Sequence, residues 1–195
     1  SEIEMLNENR EHLDKLPGVK IPEKASFTTD LEETIKSSDM LVLAVPSVFT
    51  RSTAKSMAPF VRDGQIIVCV AKGIEEESLK TISEVVEEEI PNADVAIMCG
   101  PSHAEEVARN IPTSIVAASN SLPAAQIVQD IMASPYLRIY TSGDIVGVEL
   151  GGALKNVIAI AAGICEGMNL AVFTYKGTAV MPPLGKILFA VQFLH

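Results

Sequence analysis

Tryptophan is absent, and aromatic residues make up only 5% of the 195 positions. The interior must therefore be aliphatic. The chain is 48% hydrophobic, mainly Ala, Val and Ile, the profile of an ordinary soluble α/β protein with ample material for a core. Cysteine is scarce as well. Cys69, Cys99 and Cys165 each sit in apolar segments, and no Cys-x-x-Cys or Cys/His spacing suggests zinc. They read as buried, reduced thiols of a cytoplasmic protein. Only 15 basic residues stand against 25 acidic ones, a net charge of −10, which excludes the basic face that nucleic-acid binding needs. An anionic small molecule is still open to such a chain, provided local lysines or helix N-termini overcome the unfavourable field. No apolar run reaches ~18 residues without a charge or a proline, so no transmembrane helix is expected. The acidic start, Ser1-Glu2-Ile3-Glu4, does not read as a secretory leader. The three histidines, His12, His103 and His195, form no recognisable triad or metal cluster, and there are no internal repeats.

What is present is an alternation. A weak helix over residues 2–13 stops before Pro17-Gly18, and Thr29-Asp30-Leu31-Glu32 reads as a capping box for a helix running to about Ser37. Met40-Leu41-Val42-Leu43-Ala44-Val45 is a continuous apolar run closed by Pro46, as expected of a strand buried on both faces of a parallel sheet. The pattern recurs: helix 48–60 and strand 65–71, helix 76–90 and strand 94–99, helix 102–110 and strand 113–118, helix 122–133 and strand 137–140. Helix and strand alternating in this way specify a doubly wound α/β sheet. A long apolar helix begins near Asp144, and a domain boundary falls at about Tyr140–Gly143. The acidic runs 75–77 and 87–89 read as solvated surface.

Ligands of open parallel sheets bind beyond the carboxyl ends of the strands. Three such ends carry informative residues: Val45-Pro46-Ser47, Ala71-Lys72-Gly73 and Gly100-Pro101-Ser102, and all three should line one crevice. Ser102 reads as an N-cap with Glu105 completing a capping box, while the free N–H groups of that helix start would also suit an anion, and Gly100 would let one approach. In the long helix, only Glu149, Lys155 and Asn156 are strongly polar between Ile145 and Cys165. A lysine in such a setting either pairs with a carboxylate, Glu149 or a distant one, or is shifted toward neutrality and serves as an acid or base.

Four motifs occur in order: Leu43-Ala44-Val45-Pro46-Ser47, Ala71-Lys72-Gly73-Ile74-Glu75, Gly100-Pro101-Ser102-His103-Ala104-Glu105, and Gly147-Val148-Glu149-Leu150-Gly151-Gly152-Ala153-Leu154-Lys155-Asn156. Together they resemble the bacterial-type NAD(P)-dependent sn-glycerol-3-phosphate dehydrogenases, from about Asn7 to Gly167. The resemblance implies interconversion of dihydroxyacetone phosphate and glycerol 3-phosphate with NAD or NADP. It implies Lys155 as the catalytic proton donor and acceptor, Lys72 as a contact to both cofactor and substrate, Gly100, Ser102 and Asn156 as substrate positions, and Ala104 as a cofactor position. It further implies a partial Rossmann-like domain over residues 1–141, the start of an all-α substrate domain over 142–170, and a divergent tail over 171–195. The family's Gly-x-Gly-x-x-Gly turn occurs nowhere in the sequence, so an incomplete, weakly active or inactive form is expected. A bare sheet edge and the apolar segment Ile187-Leu188-Phe189-Ala190-Val191 lead to an expectation of homo-oligomers or aggregation. The rival readings are a non-catalytic remnant that self-associates and a lysine-dependent β-hydroxyacid dehydrogenase, the latter disfavoured by the adjacency of Lys155 and Asn156.

Overall fold

Five aliphatic runs build the frame. In the computed structural model, which describes residues 2–168, the strands are β1 (Met40–Leu43), β2 (Ile66–Cys69), β3 (Asp94–Cys99), β4 (Thr113–Ser119) and β5 (Leu137–Ser142), in one sheet of order β1-β2-β3-β4-β5. The helices are α1 (Glu2–Asn9), α2 (Leu31–Ser37), α3 (Thr50–Met57), α4 (Ile82–Glu89), α5 (Ala104–Ala108), α6 (Leu122–Met132) and α7 (Ile145–Gly167), with a 3-10 turn at Ser47–Phe49. This is the expected Rossmann-like class. Ile67, Val68 and Cys69 of β2 are fully buried, as strands covered on both faces are. One face packs Leu41, Leu43, Ile67 and Ile97 against α3, α4 and the start of α7, and the other packs Val68, Ala96, Ile115 and Ala117 against Val128 of α6.

The sheet is not wholly parallel. β1–β2, β2–β3 and β4–β5 are parallel, but β3 and β4 are antiparallel. The connection between them, residues 100–112, holds only the short α5, whose five residues span roughly 7 Å at about 1.5 Å per residue, and the chain re-enters the sheet from the end at which it left. The reversal sets where the chain leaves the sheet: Ser142 pairs with Ala118, and Ala118 with Ile97, so β5 ends level with the middle of β3. From there α7 climbs toward the β3 tip.

Several boundaries shift for local reasons. Asp30, not Thr29, caps α2, its carboxylate accepting from the Glu33 N–H at 2.9 Å. α4 starts at Ile82 rather than 76, because Thr81 and Glu84 form its capping box, and the preceding residues turn through Leu79 (φ +58). α5 starts after His103, so Ser102 is not the cap. The acidic runs are not simply solvated. Arg51 of α3 donates to Glu75 at 2.7 and 2.8 Å, to Glu88 at 3.0 Å and to Glu89 at 2.5 Å, tying α3 to α4 and to the turn before it. Arg51, and then Ser78, holds the Glu75 carboxyl at about 2 instead of 4.5. Because the folded value is depressed, the stabilisation is present above pH 4.5 and is lost as pH falls toward 2. Acid titration of unfolding stability should therefore show a loss in that window that Glu75→Gln removes.

Gly100 follows β3 directly, where the antiparallel neighbour is closest. A Cβ there would lie 2.7 Å from Ile115 Cγ2 and 2.8 Å from Ile115 Cα. The residue is thus small to admit a strand, whereas the sequence suggested room for a ligand. Gly100→Ala should lower stability by about 1–3 kcal/mol, the usual cost of overpacking, measured by denaturant unfolding.

Candidate active site

The tip of β2 continues as Val70-Ala71-Lys72-Gly73. Val70 N–H donates to Leu43 of β1 at 3.2 Å, and Gly73 has φ +142, a conformation that favours glycine. A Cβ on Gly73 would be 3.2 Å from Ser47 Oγ, so this turn lies directly against the β1 tip. Lys72 then reaches across the sheet to the β3 tip, its Nζ donating to the Gly100 carbonyl at 3.0 Å. The same carbonyl accepts from Ser102 N at 2.9 Å and Ser102 Oγ at 3.4 Å. Burial pushes the Lys72 ammonium below its ordinary value; Cys99 opposes that shift and the charge of Lys155 adds to it.

The second lysine arrives on α7. Asp144 starts this helix as expected, accepting from Gly147 N–H at 2.8 Å. Ile145 and Glu149 are buried, and Gly152 lies on Cys99 so closely that a Cβ would fall 2.2 Å from Sγ. Three residues on, Lys155 is half-buried and near enough to Lys72 and Cys99 to act on both. Burial pushes the Cys99 thiol up, while Lys72 and Lys155 pull it back. Cys69, on the neighbouring strand, is pushed up to about 12 by burial and then by Glu149, which makes it an inert thiol. Cys165 is only half-buried, against the expectation for all three.

Glu149 does not pair with Lys155. Its carboxylate accepts from Ser83 N at 2.8 Å and Ser83 Oγ at 2.5 Å, at the start of α4. Among the described residues Lys155 has no ion pair, so two lysines stand near enough to act on each other at the strand tips without a carboxylate paired to either. The structure thus brings together Lys72, Gly100, Ser102 and Lys155. Ala104, the first residue of α5, is exposed, and so is Asn156, whose side chain makes no hydrogen bond among the described residues. The Glu149–Ser83 contact was not foreseen, although the signature Thr81-Ile82-Ser83-Glu84 marks the helix start that receives it. Among the described residues no group of His, Cys, Asp and Glu could hold a metal ion.

The far side of α7 is apolar and open: Leu154, Val157 and Ile160 are exposed, Ile160 at 64%. By length and mean hydropathy, 1.6 over Ile145–Cys165, α7 is long and apolar enough to cross a membrane despite Glu149 and Lys155. The expectation of no such helix rested on those two charges.

A mostly parallel sheet with helices on both faces and cationic side chains gathered at its strand tips defines a Rossmann-like protein, a fold that places small-molecule chemistry at that edge. Within that class the chain belongs to the NAD-dependent glycerol-3-phosphate dehydrogenase family: the model of the family's N-terminal part matches residues 1–125, and that of its C-terminal part matches residues 144–186. A glycerol-3-phosphate dehydrogenase [NAD(P)+] of Agathobacter rectalis is 67% identical, the alignment covering 87% of this chain and 50% of that protein. One from Bacillus subtilis is 41% identical over 94% of this chain and 55% of its own length. Among solved structures, the glycerol-3-phosphate dehydrogenase of Coxiella burnetii superposes with a TM-score of 0.77 at 29% identity, over 86% of this chain and 51% of that one. That of Plasmodium falciparum gives 0.79 at 26% identity, over 87% and 48%. The chain spans about half the length of the curated relatives it matches. The C-terminal match runs past residue 170, where the sequence suggested a divergent tail; residues 171–195, with the apolar segment 187–191, lie outside the described residues.

Proposed function

We propose that the protein carrying this chain interconverts dihydroxyacetone phosphate and sn-glycerol 3-phosphate with NAD or NADP. The observation that carries this reading is the approach of Lys155 to Lys72, whose Nζ is held on the Gly100 carbonyl at the β3 tip. Two cations without an intervening carboxylate suit a substrate that brings a phosphate dianion and develops negative charge on its ketone oxygen. A nicotinamide, when bound, supplies or receives the hydride. In the reduction, Lys155 gives a proton to the oxygen that becomes the secondary hydroxyl; in the oxidation it takes that proton back. Lys72, anchored on the Gly100 carbonyl, holds substrate and cofactor together, with Gly100, Ser102 and Asn156 on the substrate side and Ala104 on the cofactor side. Residues 1–141 act as part of the dinucleotide-binding domain, and 142–170 open the substrate domain. The family match sets aside the β-hydroxyacid alternative. The test is oxidation of NADH and of NADPH by the purified protein with and without dihydroxyacetone phosphate. Turnover that requires the ketone supports the reading, and none with either nucleotide overturns it.

The same reading places the protein in the cytoplasm as a homo-oligomer. β1 is an edge of the described sheet with Val42 47% exposed, and the outer face of α7 offers a second apolar surface. Light scattering on a polypeptide of this sequence should give a mass above that of the 20.8 kDa chain. A monodisperse monomer at high concentration would contradict it.

A further inference from the structure

We propose that Glu149 is a positioning residue for Lys155: by docking its carboxylate on the first turn of α4 it fixes the rotation and height of α7 against the strand tips. The inference rests on the reading of Lys155 as proton donor. It begins from the poor definition of α7 as an amphipathic helix. Val146, Leu150, Leu154 and Val157 are exposed and are as apolar as the residues facing the sheet. Burial of apolar area, being non-directional, scarcely selects which face turns inward. Hydrogen bonds do select, because they require one geometry.

Glu149 is 8% exposed and spends both carboxylate oxygens on Ser83, across 66 positions of sequence. α4 does not depend on this contact to begin, since Glu84 already accepts from the Thr81 N–H at 2.8 Å in its own capping box. The Ser83 amide is one of the remaining unpartnered donors of a helix start. A carboxylate is costly to bury unless it is well bonded, so an aliphatic side chain would hold α7 to the core at least as strongly. What the carboxylate adds is orientation. Glu149, Gly152 and Lys155 follow at intervals of three, each step turning about 60° and rising about 4.5 Å. The first grips α4, the second touches Cys99, and the third faces Lys72. A slip in rotation at Glu149 would carry Lys155 out of the crevice.

The test uses the protein carrying this chain and the nucleotide oxidation assay, with Glu149→Ala, Glu149→Gln, Ser83→Ala and Lys155→Ala, singly and with Lys155→Ala as background. Glu149→Ala should lower kcat by about 10–100-fold, the scale of a misplacement near 1 Å, while KM for the dinucleotide stays within about twofold. Glu149→Gln keeps the shape and an acceptor for the amide, and should recover most of the lost kcat. In the Lys155→Ala background, Glu149→Ala should cost nothing further, because the lysine it positions is gone. A purely structural role would instead multiply the two losses, and that result overturns the inference while leaving the function intact. If Glu149→Ala does not fold, Ser83→Ala carries the same comparison: its loss must vanish when Lys155 is absent. A fully active Lys155→Ala protein would overturn the proposed function itself, a separate and recognisable outcome.

Discussion

On the proposed function, Lys155→Ala should lower kcat for dihydroxyacetone phosphate reduction by about 10²–10⁴-fold, the range expected when a positioned proton donor is removed, and should change KM for the nucleotide far less. The hydride can still reach the carbonyl carbon, but the oxygen then carries a negative charge with no proton source beside it. Lys72 is not placed to substitute, because its bond to the Gly100 carbonyl at 3.0 Å holds its Nζ at the β3 tip and not where the Lys155 ammonium stands. The two lysines also repel, so removing one relieves the other, and binding of the anionic substrate should weaken only modestly. Steady-state rates with both substrates saturating separate these effects. A loss confined to KM would assign Lys155 to binding alone.

Gly152→Ala is the second large effect, and here two physical terms oppose each other. In a helix interior the exchange of glycine for alanine favours the helix by about 1 kcal/mol. Against that, the new Cβ would fall 2.2 Å from Cys99 Sγ, and Cys99 is only 5% exposed, so the sulfur has little space to retreat. An overlap well over 1 Å costs more than the propensity returns, with overpacking running at about 1–3 kcal/mol. The expected outcome is a lower thermal midpoint together with a loss of kcat, as α7 is pushed outward and takes Lys155 with it. Cys99→Ala in the same protein should restore both, since the Cys99 Cβ would stand 3.9 Å from the new methyl, an ordinary contact. An unaltered or raised midpoint for the single variant would show that α7 does not bear on Cys99.

The parts of this molecule that were legible in the sequence are those written in local pattern. Apolar runs such as 65–71 and 94–99 mark the buried strands, with Lys72 and Gly100-Pro101-Ser102 at their ends, whereas the run 40–45 was expected to be covered on both faces and leaves Val42 47% exposed at the sheet edge. The reversal of β4 was not read from pattern, because the strand's composition is the same in either direction. The role of Glu149 was hidden for a different reason. Its partner is 66 residues away, and on its own helix Lys155 is the nearest cation, so sequence proximity pointed to the wrong group. A second constraint on Gly100 was hidden in the same sense: the neighbouring Ile115 leaves no room for a Cβ, which only strand pairing reveals.

The antiparallel turn between β3 and β4 also decides what kind of element can bring Lys155 to the strand tips. Had β5 run with β3, it would have ended at the tips, and the next helix would have descended away from them, leaving only its first residues near the chemistry. With β5 reversed, the chain departs from the level of Ile97 and ascends, so the crevice meets the body of a continuous helix of 23 residues. Lys155 therefore has helical backbone before and after it, and the local hydrogen-bond ladder limits its wandering in a way no surface loop could. Amide exchange around residues 152–158 should accordingly be slower than at the Lys72 turn, even though the two segments lie side by side.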